Sequence, residues 1–320
     1  MEYRILGKTG EKVSLLSYGT GGPSQFGQKT GGTDKSRKRL IDIAINNGIN
    51  LFDTAPGYSN SEELLGKALK GIKRDSYLLA TKVSTRIEDL NSRGDSIDQL
   101  MNPSFPRKSL EMSLKKLNLE YIDIFQFHGL LQKNYESITD CFLDSIIKAR
   151  EEGLIRYIGI TENMVIEPRH TAMVTALNKH PEVWDTMMLK YGIMNQWAAK
   201  NVFPIVKEKN IGILNMAPVR ITLTKNVKLN ERFDDWKKNR QDIIGTLEDL
   251  KSLNDNNSEN KEIISQGYAF AGSHKCVSTI ITGTSNENHL IDNLKSVNSK
   301  IDQNTIKKLV ELFGNSDSPD

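Results

Sequence analysis

The chain has 320 residues, enough to bury a sizeable core as one large domain or two ordinary ones. Its 43 Lys and Arg against 40 Asp and Glu leave a net charge of +3, which argues against a dedicated nucleic-acid or membrane-surface protein. Two cysteines, Cys141 and Cys276, stand far apart with no CxxC pair, so a reducing compartment is expected and a disulfide framework is not. The opening MEYRILGKTGEKVS has no apolar signal core, and no apolar run reaches membrane length. A soluble cytoplasmic protein with a small-molecule substrate is the expectation; the oligomeric state is not legible.

In chain order, a hairpin with its turn at residues 8–10 comes first, and strand candidates then alternate with amphipathic helices. Strand 14–19 precedes helix 35–47, strand 50–54 precedes helix 62–70, and strand 77–83 precedes helix 106–117. Strand 123–128 leads to helix 137–152, strand 156–161 to helix 169–178, and strand 186–191 to helix 198–209. Strand 212–216 is followed at a distance by helix 261–271, and strand 279–283 by helix 287–296. Eight such units match a (β/α)8 TIM barrel, which needs ~250 residues plus insertions. A doubly wound sheet would leave strands over. The stretch GTGGPSQFG does not satisfy G-x-G-x-x-G, and GQKTGGTDKS misses the P-loop pattern.

Residues 1–320 therefore read as one barrel domain with two interruptions. A long polar loop spans 85–106, and an insertion at 220–260 ends in the polar, mobile-looking SLNDNNSENK. Both would rise over the C-terminal face, where barrel substrates bind. Residues 314–320 read as a frayed tail.

Ionisable side chains close three successive apolar runs. Asp53 ends INLFDTA, Lys82 lies in YLLATKV, His128 ends YIDIFQFHG, and Tyr58 follows Asp53 in PGYSNSEELLG. Each alone has an ordinary explanation: a cap, a lysine reaching the rim, a satisfied core histidine, a loop tyrosine. Neighbouring barrel strands would bring all four together. A phenol near pKa ~10 is a poor proton carrier at neutral pH, and an adjacent ammonium lowers that value. Asp53 would hold Lys82 charged, His128 would donate to a substrate oxygen, and Tyr58 would exchange a proton with a carbonyl or alcohol. The five histidines show no metal-ligand spacing and no flavin motif is present, so a nicotinamide is the expected hydride source.

The stretches LFDTAPGYSNSEELLGKAL, ATK and FQFH, with RILGKTGEKVS, YIGIT and GTSNENHLIDNL, resemble the aldo-keto reductases over almost the whole chain. The resemblance implies a (β/α)8 barrel, NAD(P)-dependent carbonyl–alcohol interconversion, and the tetrad Asp53, Tyr58, Lys82 and His128. It also places Thr20, Gly21, Asp53, Thr161, Met188, Met216, Ala217, Pro218, Val219, Gly283, Thr284, His289, Asp292 and Asn293 at cofactor positions. Several depart from the family's usual residues: Thr161-Glu162 for Ser-Asn, Met188 for a glutamine, and Met216 for a stacking tyrosine. These substitutions are similar to those of the aldose dehydrogenase branch. At the segment that clamps the adenosine ribose, Gly283, Thr284 and His289 stand where NADP-preferring members place Lys or Arg, with Asp292 and Asn293 toward the adenine, so the reading leans to NAD over NADP. The expected pocket lining is residues 22–26, Ser84, Arg86 and the 220–260 insertion, with Gln28 nearby. Its mixed polarity favours a sugar, with a broad-range aldehyde reductase and a slow nicotinamide-binding regulatory barrel as alternatives.

Overall fold

A computed structural model describes residues 1–85, 101–252 and 261–319. Strands β1 (Tyr3–Ile5) and β2 (Lys12–Ser14) pair antiparallel as the expected hairpin. Eight strands then close a parallel barrel in chain order, with β10 pairing back to β3. They are β3 (Leu16–Gly19), β4 (Leu51–Asp53), β5 (Leu78–Ser84), β6 (Ile122–Leu130), β7 (Ile155–Glu162), β8 (Thr186–Leu189), β9 (Gly212–Met216) and β10 (Val277–Thr282). The (β/α)8 barrel expected from the sequence is the fold.

Helices α1 (Asp34–Asn46), α2 (Ser61–Leu69), α3 (Phe105–Leu117), α4 (Tyr135–Glu151) and α5 (Thr171–Lys179) follow the first five barrel strands. The continuous helix expected at 198–209 is two, α6 (Trp197–Asn201) and α7 (Phe203–Lys209). Pro204 in the first turn of α7 has no N–H to continue the ladder, so the break falls at Val202.

The barrel floor is apolar. Leu6 and Val13 of the hairpin pack with Leu51, Leu78, Ala80, Ile124, Met188 and Leu214 inside the strands. Gly7, at φ 52, is pressed against the Gly212 backbone, and Lys8 N donates to Asn210 O at 2.5 Å. No side chain fits at Gly7. The hairpin is a plug, and it leaves the opposite, C-terminal end as the open one.

Two expectations need correction. The 220–260 insertion, in which no helix was expected, holds α8 (Ile221–Thr224), α9 (Asn226–Asn239) and α10 (Leu247–Lys251). Leu229, Phe233 and Trp236 share one buried face of α9, and the last two meet Phe313 at ring separations of 5.9 and 6.4 Å. Phe313 ends α13 (Gln303–Phe313), a helix the sequence reading left out, which follows α11 (Lys261–Ser273) and α12 (Glu287–Val297). Nor is 314–319 frayed. Ser316 and Ser318 are buried, Ser318 N donates to Met194 O at 2.9 Å, and Asp317 pairs with Arg169 and Arg240. The expectations for Arg86 and for mobility at 253–260 lie outside the described residues.

Candidate active site

Strands β4, β5 and β6 are neighbours in register, with Asp53 opposite Ala80, Lys82 opposite Gln126 and Ser84 opposite His128. Side chains alternate along a strand, so Lys82 and Ala80 share a face, as do Gln126 and His128. The three strand ends thus aim their polar residues into the mouth. Tyr58 reaches it from a turn closed by its own N–H donating to Ala55 O at 3.1 Å.

Lys82 is completely buried. Its Nζ donates to Asp53 Oδ1 at 2.6 Å and to Thr54 O at 2.7 Å, and it also hydrogen-bonds the Tyr58 side chain. An ammonium has three donors, and these three acceptors satisfy them. Burial alone would pull the ammonium down, but Asp53 and Tyr58 outweigh it and hold Lys82 above the ordinary lysine value. Burial raises the Asp53 carboxyl, opposed by Lys82, His128 and Gln126. The His128 ring stands edge-on to Tyr58, 5.7 Å between centroids at 87°.

Sequence reasoning missed Gln126 and Thr54. Gln126 Nε2 lies 3.5 Å from Asp53 Oδ1, while its Oε1 is buried and meets no hydrogen-bond partner among the described residues. Its spacing of two from His128 in FQFH was the available signal. Thr54 contributes only a carbonyl, which no sequence pattern announces.

The expected cofactor positions behave differently. Thr161 is buried, and its Oγ1 accepts from Gly129 N at 2.8 Å, which leaves its hydroxyl proton to donate. Glu162 is committed elsewhere: Oε2 meets His170 Nδ1 at 2.6 Å, Oε1 accepts from Lys190 N at 2.8 Å, and the pair with His170 is fully buried. Met188 belongs to the interior apolar cluster, with Met216 half-buried against it. Ala217 is held at φ 53, Pro218 O approaches Gly192, and Val219 packs on the core. Arg220 Nη1 reaches Met164 Sδ at 3.8 Å.

Across the mouth, the Thr20 hydroxyl is taken up by Thr54 Oγ1 at 2.8 Å and Asp53 O, and a Cβ on Gly21 would come within 2.8 Å of the Tyr58 ring. Gly283 lies close to the carbonyls of Gly19 and Gly21, and Thr284 O accepts from Tyr18 OH. His289 and Asp292 are exposed, while Asn293 Nδ2 is turned back to Thr282 Oγ1 at 2.8 Å. Phe26 does not line the mouth as expected: it is buried edge-on against Tyr18. Among the described residues no His, Cys, Asp and Glu group could hold a metal, and no helix is long and apolar enough to cross a membrane.

The closed barrel thus carries a buried lysine and carboxylate and a half-buried phenol together at its C-terminal mouth. The sequence model of the Aldo/keto reductase family matches residues 16–313, and the chain belongs to that family. It is similar to the "Uncharacterized oxidoreductase YrpG" of Bacillus subtilis, at 27% identity over 98% of this chain and 96% of that one. It is also similar to the L-galactose dehydrogenase of Arabidopsis thaliana, at 26% identity over 98% and 94%. In structure it resembles the aldo-keto reductase AKR11C1 from Bacillus halodurans, with a TM-score of 0.71 over 98% and 96% of the chains at 23% identity. The reaction class is NAD(P)-dependent carbonyl–alcohol interconversion. The donor set fits a nicotinamide: the Thr161 hydroxyl proton and the unmatched Gln126 Oε1 complement a carboxamide, and the half-buried Met216 carries a thioether able to pack on a ring.

Proposed function

We propose that the enzyme acts on a small polyhydroxylated substrate, a sugar or sugar derivative, with Tyr58 exchanging the proton and NAD(H) preferred over NADP(H). The observation that carries the proton role is the buried Lys82 ammonium, whose donors go to Asp53, Thr54 O and Tyr58. When bound, the nicotinamide supplies the hydride. Thr161, Met216 and the backbone at Gly283 and Thr284 would hold it, whereas Met188, expected at the same site, is spent in the apolar interior.

Because the Tyr58 oxygen accepts from Lys82, its own proton is left to face the substrate. The Lys82 charge favours the phenolate and so eases proton release to a developing alkoxide. In the reverse direction the same charge stabilises the phenolate that takes a proton from an alcohol. Asp53 keeps the ammonium fixed. His128, set at right angles to the phenol, donates a second hydrogen bond to the substrate oxygen.

The sugar preference is supported by the first loop. Phe26 is withdrawn into the core, leaving no aromatic wall there, and Ser24 Oγ is buried without a partner among the described residues. Likeness to L-galactose dehydrogenase points the same way. The NAD preference is supported by exposed His289 and Asp292, since one imidazole beside a carboxylate is a poor clamp for a 2′-phosphate. Specificity constants for free aldoses and for a substituted benzaldehyde, measured with NAD+ and NADP+ in parallel for oxidation and the reduced cofactors for reduction, test the proposal. A large advantage for the aromatic aldehyde with no sugar oxidation overturns the substrate assignment.

A second reading, a slow nicotinamide-binding barrel, has one observation in its favour. Glu162, at the usual carboxamide contact, is spent on His170. Turnover above ~1 s⁻¹ on any substrate, the low end of the usual enzyme range, excludes it.

A further inference from the structure

In the loop between β3 and α1, one side chain, Gln28, bonds the Tyr58 segment at three points. Gln28 Oε1 accepts from Asn60 N at 3.0 Å, while Nε2 donates to Tyr58 O at 3.1 Å and to Ser61 Oγ at 3.0 Å. The same Nε2 reaches Gln25 O at 2.9 Å within its own loop. The orientation of this amide is forced, because Asn60 N–H can only donate and the Tyr58 carbonyl can only accept.

Residues 58–61 need such support. Ser59 is in the left-handed region at φ 56, which costs a non-glycine residue energy, and Asn60 precedes α2 without a side-chain cap. Backbone bonds from Tyr58 N to Ala55 O and from Ser61 N to Tyr58 O, both at 3.1 Å, close the turn, and Gln28 is the side chain that ties it to the neighbouring loop at both Tyr58 and Asn60. Gly21, from the same loop as Gln28, presses on the Tyr58 ring, and Thr30 Oγ1 lies 2.9 Å from Ser285 Oγ in the loop after β10.

We propose that Gln28 is a positioning residue for Tyr58: its amide fixes the 58–61 backbone so that the phenol oxygen stays on Lys82 Nζ. The inference rests on Tyr58 being the proton carrier. Displacing a reacting group by ~1 Å can cost ~10²-fold in rate. Gln28→Ala is therefore expected to lower kcat by ~10–100-fold, with KM and the dissociation constant for NADH within about twofold of the parent. As the phenol loses contact with the ammonium, its acid constant should fall by roughly tenfold. Gln28→Glu presents only acceptors to the Tyr58 and Gln25 carbonyls. Its loss should be deeper at neutral pH and should recover relative to the parent under acid conditions, where a protonated carboxyl donates again.

The titration is read by NMR of protein carrying 13Cζ-tyrosine, with Tyr58→Phe assigning the resonance, beside steady-state kinetics and melting curves. A Tyr58 titration unchanged in both variants overturns the proposal. So does a parallel loss of kcat, cofactor affinity and Tm, which marks a merely structural role. The phenol titration needs no turnover. Were no substrate found, the catalytic reading would fail, while a shifted Tyr58 resonance would still support the positioning role and an unshifted one would overturn it.

Discussion

The two halves of the barrel mouth are built on different principles. From β4 to β6 Asp53, Lys82 and His128 emerge from strands and Tyr58 from the turn after β4, and their partners stand on the adjacent strand or that turn, as with Lys82, Asp53 and Thr54. From β7 to β10 the corresponding side chains have found partners inside the protein: Glu162 with His170, Asn293 with Thr282, Met188 with the apolar interior. Proton transfer tolerates little displacement, and a rigid sheet supplies that precision. A dinucleotide can be gripped at many points. Individual contacts on that side can be lost without losing the fold or the reaction class.

The largest test of this contrast lies in the rigid half. Tyr58→Phe should cut kcat by ~10²–10⁴-fold while leaving the NADH dissociation constant near the parent value. Lys82→Met should lose a similar factor, and its residual rate should move toward alkaline pH as the phenol loses the neighbouring charge. It should also lower the melting temperature, because Asp53 is left buried without its counter-ion. A Tyr58→Phe enzyme with near-parent turnover would falsify the proton assignment.

A smaller effect is expected in cofactor choice. NADH should bind at least about tenfold more tightly than NADPH, or ~1.4 kcal/mol. Titrating each by fluorescence decides it, and a tenfold preference for NADPH would show that Arg220 or Lys225 supplies the missing charge. Smaller still is Glu162→Gln. With its carboxylate turned to His170, the change should move the NADH dissociation constant by less than about threefold while costing ~1–2 kcal/mol of stability through the weakened buried pair. Tight coupling of this substitution to cofactor affinity would erase the contrast between the halves.

These differences explain what was legible beforehand. A lysine or aspartate closing an apolar run is visible because the run itself says which way the strand ends point. That is how Asp53, Lys82 and His128 could be picked out, and with them the barrel. The commitments of Glu162, Asn293 and Gln28 were not visible, since each partner lies 8 to 30 residues away on another element. Helix α9 is a different case. Leu229, Phe233 and Trp236 recur at helical spacing, and the polar stretch that follows drew attention from them. Ser316 and Ser318 are held mainly through backbone and hydroxyl contacts, so composition gave no warning that the tail is packed.

The weakest predicted effect concerns acid stability and lies outside the mouth. His274 is packed 4.5 Å from the Phe203 ring, and its Nδ1 accepts from Cys276 N at 3.2 Å. Burial, helped by Arg4, pulls its pKa below the ordinary histidine value. The unfolded chain therefore takes up the proton first, so stability is full above pH ~6.5 and falls as pH drops through the lowered value. Melting curves from pH 7 to 5 should show a decline that His274→Gln reduces. An identical decline in the variant would assign it to other groups.

The plug at the barrel floor bears on how the protein is made. The seat for Gly7 and Lys8 is the start of β9, at Asn210–Gly212, some two hundred residues downstream. At ~5–20 residues per second, a chain leaving the ribosome carries its N-terminal hairpin for roughly 10–40 s before that seat exists. Throughout that interval Leu6 and Val13 have no interior to enter, and the early strands cannot curl shut on their own. Arrest of translation before β9 should leave a nascent chain that chaperones bind and proteases cut, and release past β10 should end both.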